Sequence, residues 1–304
     1  MVVYRNGFTY AANIIILTLT LALFLLVDDQ DTQFRVLGTA SVSLGAVTTL
    51  IYIITVPEKK LEKIALEREA EYQKALSQLG KDKEEVETKK KFVGDWLKEA
   101  QFYIFGIVYM FARIAYNTTA TIMPLYLDVV TEFKPEGNRD TSYVIAAVPL
   151  ASYLFSFIFS LTLQNYITEY FKNRVIPMAL SVLFMALGSL PMAFLRNGPM
   201  RNLIYPLAAI QGVGNALLLN TSTACISDVI GKDNTSAAFV YGAYSLVDKF
   251  ANGFLLFLLV AAYSENATAL AWIIAVIPTI SAVGCFLATW LGIKLYADKL
   301  SKMS

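Results

Sequence analysis

Apolar residues run along most of the chain in long uninterrupted stretches, not at the three-to-four or two-residue spacing of a half-buried soluble element. Eight stretches, approximately 8–27, 36–56, 102–127, 142–163, 175–195, 203–226, 237–262 and 269–295, contain almost no charge. A bilayer core about 30 Å thick is crossed by roughly 20 apolar residues in a helix, so each stretch predicts a transmembrane span. Polar residues bound them: Asp28, Asp29 and Asp31 follow the first, and Arg196 and Arg201 separate the fifth from the sixth. The first span lies near Met1 behind Arg5 alone, lacks a small-residue cleavage site and precedes seven others; that favours a retained helix over a removed signal peptide. The expected fold class is an all-α polytopic membrane protein with eight transmembrane helices.

Composition sharpens this picture. Only 16% of residues are charged, and 21 of the 49 charges fall between Pro57 and Lys98. The chain therefore divides into a two-span segment (1–56), a charged linker (57–99), a six-helix bundle (100–297) and a short tail (298–304). Lys63/Glu67, Lys83/Glu87 and Glu85/Lys89 stand at i,i+4 in the linker, with Gly80 as its main breaker, which predicts solvated helix. Eight spans place both termini on one side. That side carries 18 basic residues, 11 of them in the linker; the other carries five, Arg35, Lys134, Arg139, Arg196 and Arg201. The positive-inside rule then puts the termini and linker in the cytosol. The sequon Asn266-Ala-Thr268 falls on the opposite side, as glycosylation requires.

Histidine is absent, and Cys225 and Cys285 stand singly in apolar runs, so neither a metal cluster nor a disulfide framework organises the chain. No nucleophile, base and orienting group can be assembled, which argues against catalysis, and no cofactor motif is present. A net charge of +1 gives no electrostatic footprint for nucleic acid. The expected partners are the lipid bilayer and a small-molecule solute.

Ionisable groups at membrane depth are costly unless they meet a wet cavity or a partner. Arg113 lies mid-span, with Asn117 and Thr121 following at i+4 and i+8; a forked, permanently charged guanidinium suits an anionic or carboxylate-bearing solute, and a structural arginine satisfied by carbonyls or a carboxylate is the alternative. In the seventh span Tyr241, Ser245, Lys249 and Asn252 share a helix face, whereas Asp248 points about 100° from Lys249, so pairing between them cannot be assumed. Lys249 is a candidate for coupling to protons or cations, or else a snorkelling side chain. In the sixth span Gln211 and Asn215, at i,i+4, are candidate solute ligands among small and amide residues that otherwise mediate packing. Gly38, Ser41, Gly45 and Thr48, and Ser152, Ser156 and Ser160, read as packing ridges. Pro124, Pro149, Pro191 and Pro278 are positions for kinks.

The segment from Ser236 to Gly253, containing Asp248-Lys249, resembles the eleventh helix of the major facilitator superfamily, and more closely its glycoside-pentoside-hexuronide:cation symporter branch with eukaryotic lysosomal cysteine-transporter-like members. Arg5 to Asn13 is similar to the fifth helix of that branch. Phe102 to Asn117, with Gly106, Tyr109 and Arg113, is similar to the seventh, and Phe171-Lys-Asn-Arg174 to the loop between eighth and ninth. The resemblance implies helices five to twelve of a twelve-helix fold, the first four lacking and the linker lying between the two halves. Gln164-Asn165 departs from the superfamily's loop pattern. It implies a secondary active transporter, a cation-coupled symporter of a small polar solute such as an amino acid or sugar, with a proton or sodium as coupling ion. The membrane implied is lysosome-like, vacuolar or plasma. The alternative is a non-transporting membrane subunit or truncated gene product with a packing or regulatory role; a missing N-terminal half is a further expected partner.

Overall fold

The computed structural model describes residues 2–57, 60, 63–64, 66–67, 70–71, 93–132, 142–171, 173–195, 199–231 and 237–300. Each of the eight apolar stretches forms a long helix: α1 (Val2–Leu26), α2 (Gln30–Thr55), α4 (Ala100–Val129), α5 (Val144–Thr162), α7 (Val175–Ser189), α8 (Ile204–Ile230), α9 (Ala237–Tyr263) and α10 (Ala267–Leu300). Two short helices, α3 (Val93–Lys98) and α6 (Gln164–Phe171), lead into α4 and follow α5. No strand occurs among the described residues.

Seven of the long helices are apolar and long enough to cross a bilayer. At 30 residues α4 has the length, but Gln101, Arg113, Asn117 and three threonines reduce its apolar character. Pro191 acts differently from the other span prolines. The regular helix stops at Ser189 and continues as a 3-10 turn over Leu190–Phe194, because a proline there has no N–H for the ladder. Pro124 and Pro149 lie inside continuous helices, and Pro278 lies in the regular part of α10, whose helical backbone breaks only at Tyr296.

Helix α8 is the centre of the bundle. Its glycines permit backbone approach on two sides. A Cβ on Gly212 would fall 2.2 Å from the Ser152 carbonyl oxygen of α5, and one on Gly214 would fall 2.8 Å from the Met185 nitrogen of α7. From the other direction, a Cβ on Gly188 of α7 would fall 2.5 Å from the Gln211 nitrogen. Ser156 Oγ donates to the Gly212 carbonyl at 2.7 Å. The serine ridge of α5 is thus a packing seam, as its spacing predicts.

Helices α4, α7, α8, α9 and α10 enclose two apolar layers. One contains Phe102, Phe105, Met178, Val229 and Tyr244; the other contains Ile122, Tyr126, Met192, Ile204 and Leu270. Helix α1 joins the bundle by packing on α5 and α8, where Asn6 Nδ2 donates to Asn220 Oδ1 at 2.6 Å and Asn220 Nδ2 donates to Ser160 Oγ at 2.9 Å. Gln33 is the one residue of α2 buried in the chain. Its Nε2 donates to the Val27 carbonyl at 2.6 Å, and Asp29 caps the helix by accepting from Thr32 N at 2.9 Å.

In the linker, Lys63 and Glu67 stand 3.8 Å apart, as their spacing predicts. The Lys83/Glu87 and Glu85/Lys89 pairs and Gly80 lie outside the described residues, as do Lys134, Arg139, Lys172, Arg196 and Lys232.

Candidate functional site

Arg113, Asp248 and Lys249 are the charged residues found more than two turns from either end of a long described helix. The fold brings them together. Arg113 Nε of α4 donates to Asp248 Oδ2 of α9 at 3.2 Å, and the Asp248 side chain is 1% exposed. Asn252 Nδ2, one turn further along α9, donates to Asp248 Oδ1 at 2.6 Å. Lys249 Nζ donates to Oδ2 at 3.5 Å. Both carboxylate oxygens therefore have donors, two of them cationic, which is the condition for retaining a buried charge.

Two expectations about α9 change. Asp248 and Lys249 do pair, because the lysine's four-carbon stem reaches back across the 100° between their Cα positions. The expected shared face also splits. Asn252 is buried beside Tyr244 and Asp248, while Ser245 is exposed and Lys249 is 67% exposed. Tyr241, half-buried, pairs its hydroxyl with Ser227 of α8 at 3.0 Å. The side of α9 that meets the bundle is centred on Asp248, not on Lys249, because the apolar contacts of Val240 and Tyr244 with α4 set its rotation.

On α4 the polar row divides in the same way. Asn117 is half-buried and Thr121 exposed. Arg113 instead lies with its guanidinium carbon 5.7 Å from the Tyr116 ring centre, an attractive cation–π arrangement. The Tyr116 hydroxyl donates to that of Tyr153 at 3.2 Å, and Tyr153 packs on Tyr10 with ring centres 6.4 Å apart. A polar and aromatic line thus crosses the interior from α1 through α5 and α4 to α9.

Gln211 is fully buried, and its Nε2 is engaged by Ser189 at 2.7 Å and Thr119 at 3.4 Å. Those bonds tie α8 to α7 and α4, so Gln211 serves packing in this arrangement. Asn215 is 5% exposed. It borders a cavity of about 20 Å³ with Tyr116, Thr119, Ser152, Tyr153 and Ser156, and its Oδ1 has no partner among the described residues. Tyr10, Tyr116, Tyr153 and Thr119 were not singled out by the sequence pattern. Their signal was available, since a tyrosine inside a span must satisfy its hydroxyl, but nothing in the chain order shows that three different helices contribute them.

A buried charge cluster between tightly packed apolar helices, with tyrosines and amides beside it, gives this integral multi-pass membrane protein a polar interior. The Major Facilitator Superfamily matches residues 1–256. The chain belongs to that superfamily, whose members are transporters. It is 32% identical over 164 residues to human "Major facilitator superfamily domain-containing protein 12", covering 52% of this chain and 31% of the relative. The horse and mouse proteins of the same name are 31% and 32% identical over the same length and the same shares. The aligned stretch is thus less than a third of the curated relatives' length. No solved structure matches.

Proposed function

We propose that the chain forms part of a secondary active transporter that moves a small polar solute by alternating access, with the solute site built around Arg113, Asp248 and Asn252 and bordered by Asn117, Asn215 and Tyr241. The observation that carries this reading is the charged cluster at mid-helix, since a charge at membrane depth persists where it faces a partner or a pathway. Ser245 and Lys249, on the outward side of α9, then face either the coupling ion's site or a further helical bundle; Gln211 sets the distance between α7 and α8.

In this reading α4 also crosses the membrane and brings the spans to eight, its Arg113 held by α9 and its Thr119 by α8, and both termini and the linker face the cytosol. The eight helices correspond to helices five to twelve of the twelve-helix fold, in the cation-symporter branch that the sequence resembles. The coupling ion is a proton or sodium, the solute an amino acid or sugar, and the membrane lysosome-like, vacuolar or plasma.

The test is uptake of labelled amino acids and sugars by proteoliposomes containing the chain alone, or fused behind the first four helices of a curated relative. Uptake above protein-free vesicles in either arm, lost in Arg113→Gln at equal protein, is expected. Absence of uptake in both arms favours a non-transporting membrane subunit, the reading to which the nearly unburied helix α2 lends some support.

A further inference from the structure

The two partners in the Arg113–Asp248 pair are not equally dependent on it. Arg113 contacts the carboxylate side-on through Nε alone, and among the described residues its two terminal nitrogens have no hydrogen-bond partner. A guanidinium prefers a two-pronged contact with a carboxylate, which uses two parallel N–H groups. Asp248 holds two other donors, Asn252 on Oδ1 and Lys249 on Oδ2. If Arg113 leaves, Asp248 keeps a cation and a hydrogen bond. Arg113 in contrast keeps only the face of Tyr116, and an unpaired cation at membrane depth demands an anion.

Charge leads to the same place. Arg113, Lys249 and Asp248 sum to one positive charge at mid-helix, with Asp128 of α4 about four turns away at the end of its helix. The groups facing Asp248 are Arg113 of α4 and Lys249 and Asn252 of its own helix, while the nearby tyrosines, Tyr109 and Tyr244, are neutral. A monoanion would bring the cluster to neutrality. The Arg113 side chain is 21% exposed, against 1% for Asp248, so the arginine is the member an incoming solute reaches.

We propose that Arg113 is an exchangeable anion site. A carboxylate-bearing monoanion takes the terminal nitrogens of Arg113 in a two-pronged contact, Arg113 Nε leaves Asp248, and Asp248 is retained by Lys249 and Asn252. The Nε contact is a direct polar tie between α4 and α9 at mid-membrane, so occupancy of the site removes that tie and leaves the two helices joined through the Tyr244 hydroxyl, which donates to the Phe102 carbonyl at 2.7 Å. Lys249 acts as the counter-ion that receives Asp248, a positioning role which does not require it to touch the solute. The inference rests on the location of the solute site proposed above and adds the solute's charge class and the event its binding triggers.

The test is thermal unfolding of the full chain in nanodiscs at neutral pH, titrated with acetate and, as the uncharged control, acetamide. A ligand that binds the folded state raises the midpoint with its concentration. Acetate should raise it and acetamide should not. Asp248→Asn removes the resident competitor, so half-saturation should fall, by about tenfold for a coupling of ordinary size. Lys249→Gln removes the fallback counter-ion and should raise half-saturation. Arg113→Gln should abolish the acetate response, and its Asp248 keeps two donors, so the variant should fold. The double variant Arg113→Gln/Asp248→Asn, a neutral amide pair, should also fold and give no response.

An acetate response that survives in Arg113→Gln overturns the proposal. So does an Asp248→Asn variant that gains no affinity, or one with no response at all. An intact acetate pattern without uptake in either proteoliposome arm would overturn the transporter reading alone. Uptake lost in Arg113→Gln, without the acetate pattern, would overturn this inference alone.

Discussion

Gly212→Ala is the substitution whose cost can be worked most directly from the structure. The added carbon would stand 2.2 Å from the Ser152 carbonyl oxygen and 2.9 Å from Ser152 Oγ. An ordinary C···O contact begins near about 3.3 Å, so α8 and α5 would have to separate by about 1 Å. Retreat is blocked on the opposite side, where Gly188 and Gly214 already place α8 against the backbone of α7. Overpacking of this kind costs about 1–3 kcal/mol. Separation also lengthens the Ser156–Gly212 bond of 2.7 Å, and an interhelical hydrogen bond in a membrane contributes about 0.6 kcal/mol. Alanine's higher helix propensity offsets about 1 kcal/mol of this, so the expected net loss is about 1–3 kcal/mol. It would be measured as a shift in unfolding free energy by steric trapping or mixed-detergent titration. Gly242→Ala is the control, because nothing lies within 4 Å of its added carbon and alanine has the higher helix propensity, by about 1 kcal/mol. If Gly212→Ala falls within about 0.5 kcal/mol of wild type, as a neutral surface change would, the close approach of α8 and α5 is wrong. The seam carries Ser152, Ser156 and Asn215 along one side of the small cavity, so the same variant should disturb solute binding.

Other outcomes follow from single contacts. Asn220→Ala removes the amide that links Asn6 to Ser160 and leaves Asn6 unpaired, so α1 should loosen from the bundle by about 1–2 kcal/mol, read as faster hydrogen exchange in α1 with little change in α10. Arg174 Nε and Nη2 grip Asp228 at 2.8 and 3.2 Å, but the side chains are 28% and 38% exposed; Arg174→Ala should therefore cost about 1 kcal/mol or less, and high salt should shrink the difference. The Thr32 hydroxyl and then its backbone N–H hold the Asp29 carboxyl below its ordinary range. That cap is complete above the usual carboxylate range and is lost as pH falls through the lowered folded value, so the protection of amides at the start of α2, relative to their intrinsic exchange rate at each pH, should fall in acid, and Asp29→Asn should blunt the change. Unaltered protection in acid would remove Asp29 from its capping role.

The sequence by itself determined the helices. Twenty or so apolar residues without a charge have few stable conformations in a bilayer other than a helix, and so the eight stretches, their order and the charged linker are legible along the chain. It also singled out Arg113, Asp248 and Lys249, because an ionisable residue deep in an apolar run is conspicuous wherever it points. Pairing was decided by the tertiary structure. Asp248 faces α4 because Val240 and Tyr244 pack there, and the same rotation turns Ser245 and Lys249 outward. A helical wheel gives angles relative to its own axis but no reference to a neighbour. Gln211 and Asn215 looked equivalent at i,i+4, yet Ser189 and Thr119 engage one, while the other's carbonyl oxygen borders a cavity. The tyrosine line through Tyr10, Tyr153 and Tyr116 joins the first helix to two others that lie more than a hundred residues later in the chain. Periodicity describes one helix at a time, and a site shared between helices exists only once their packing has fixed which faces meet.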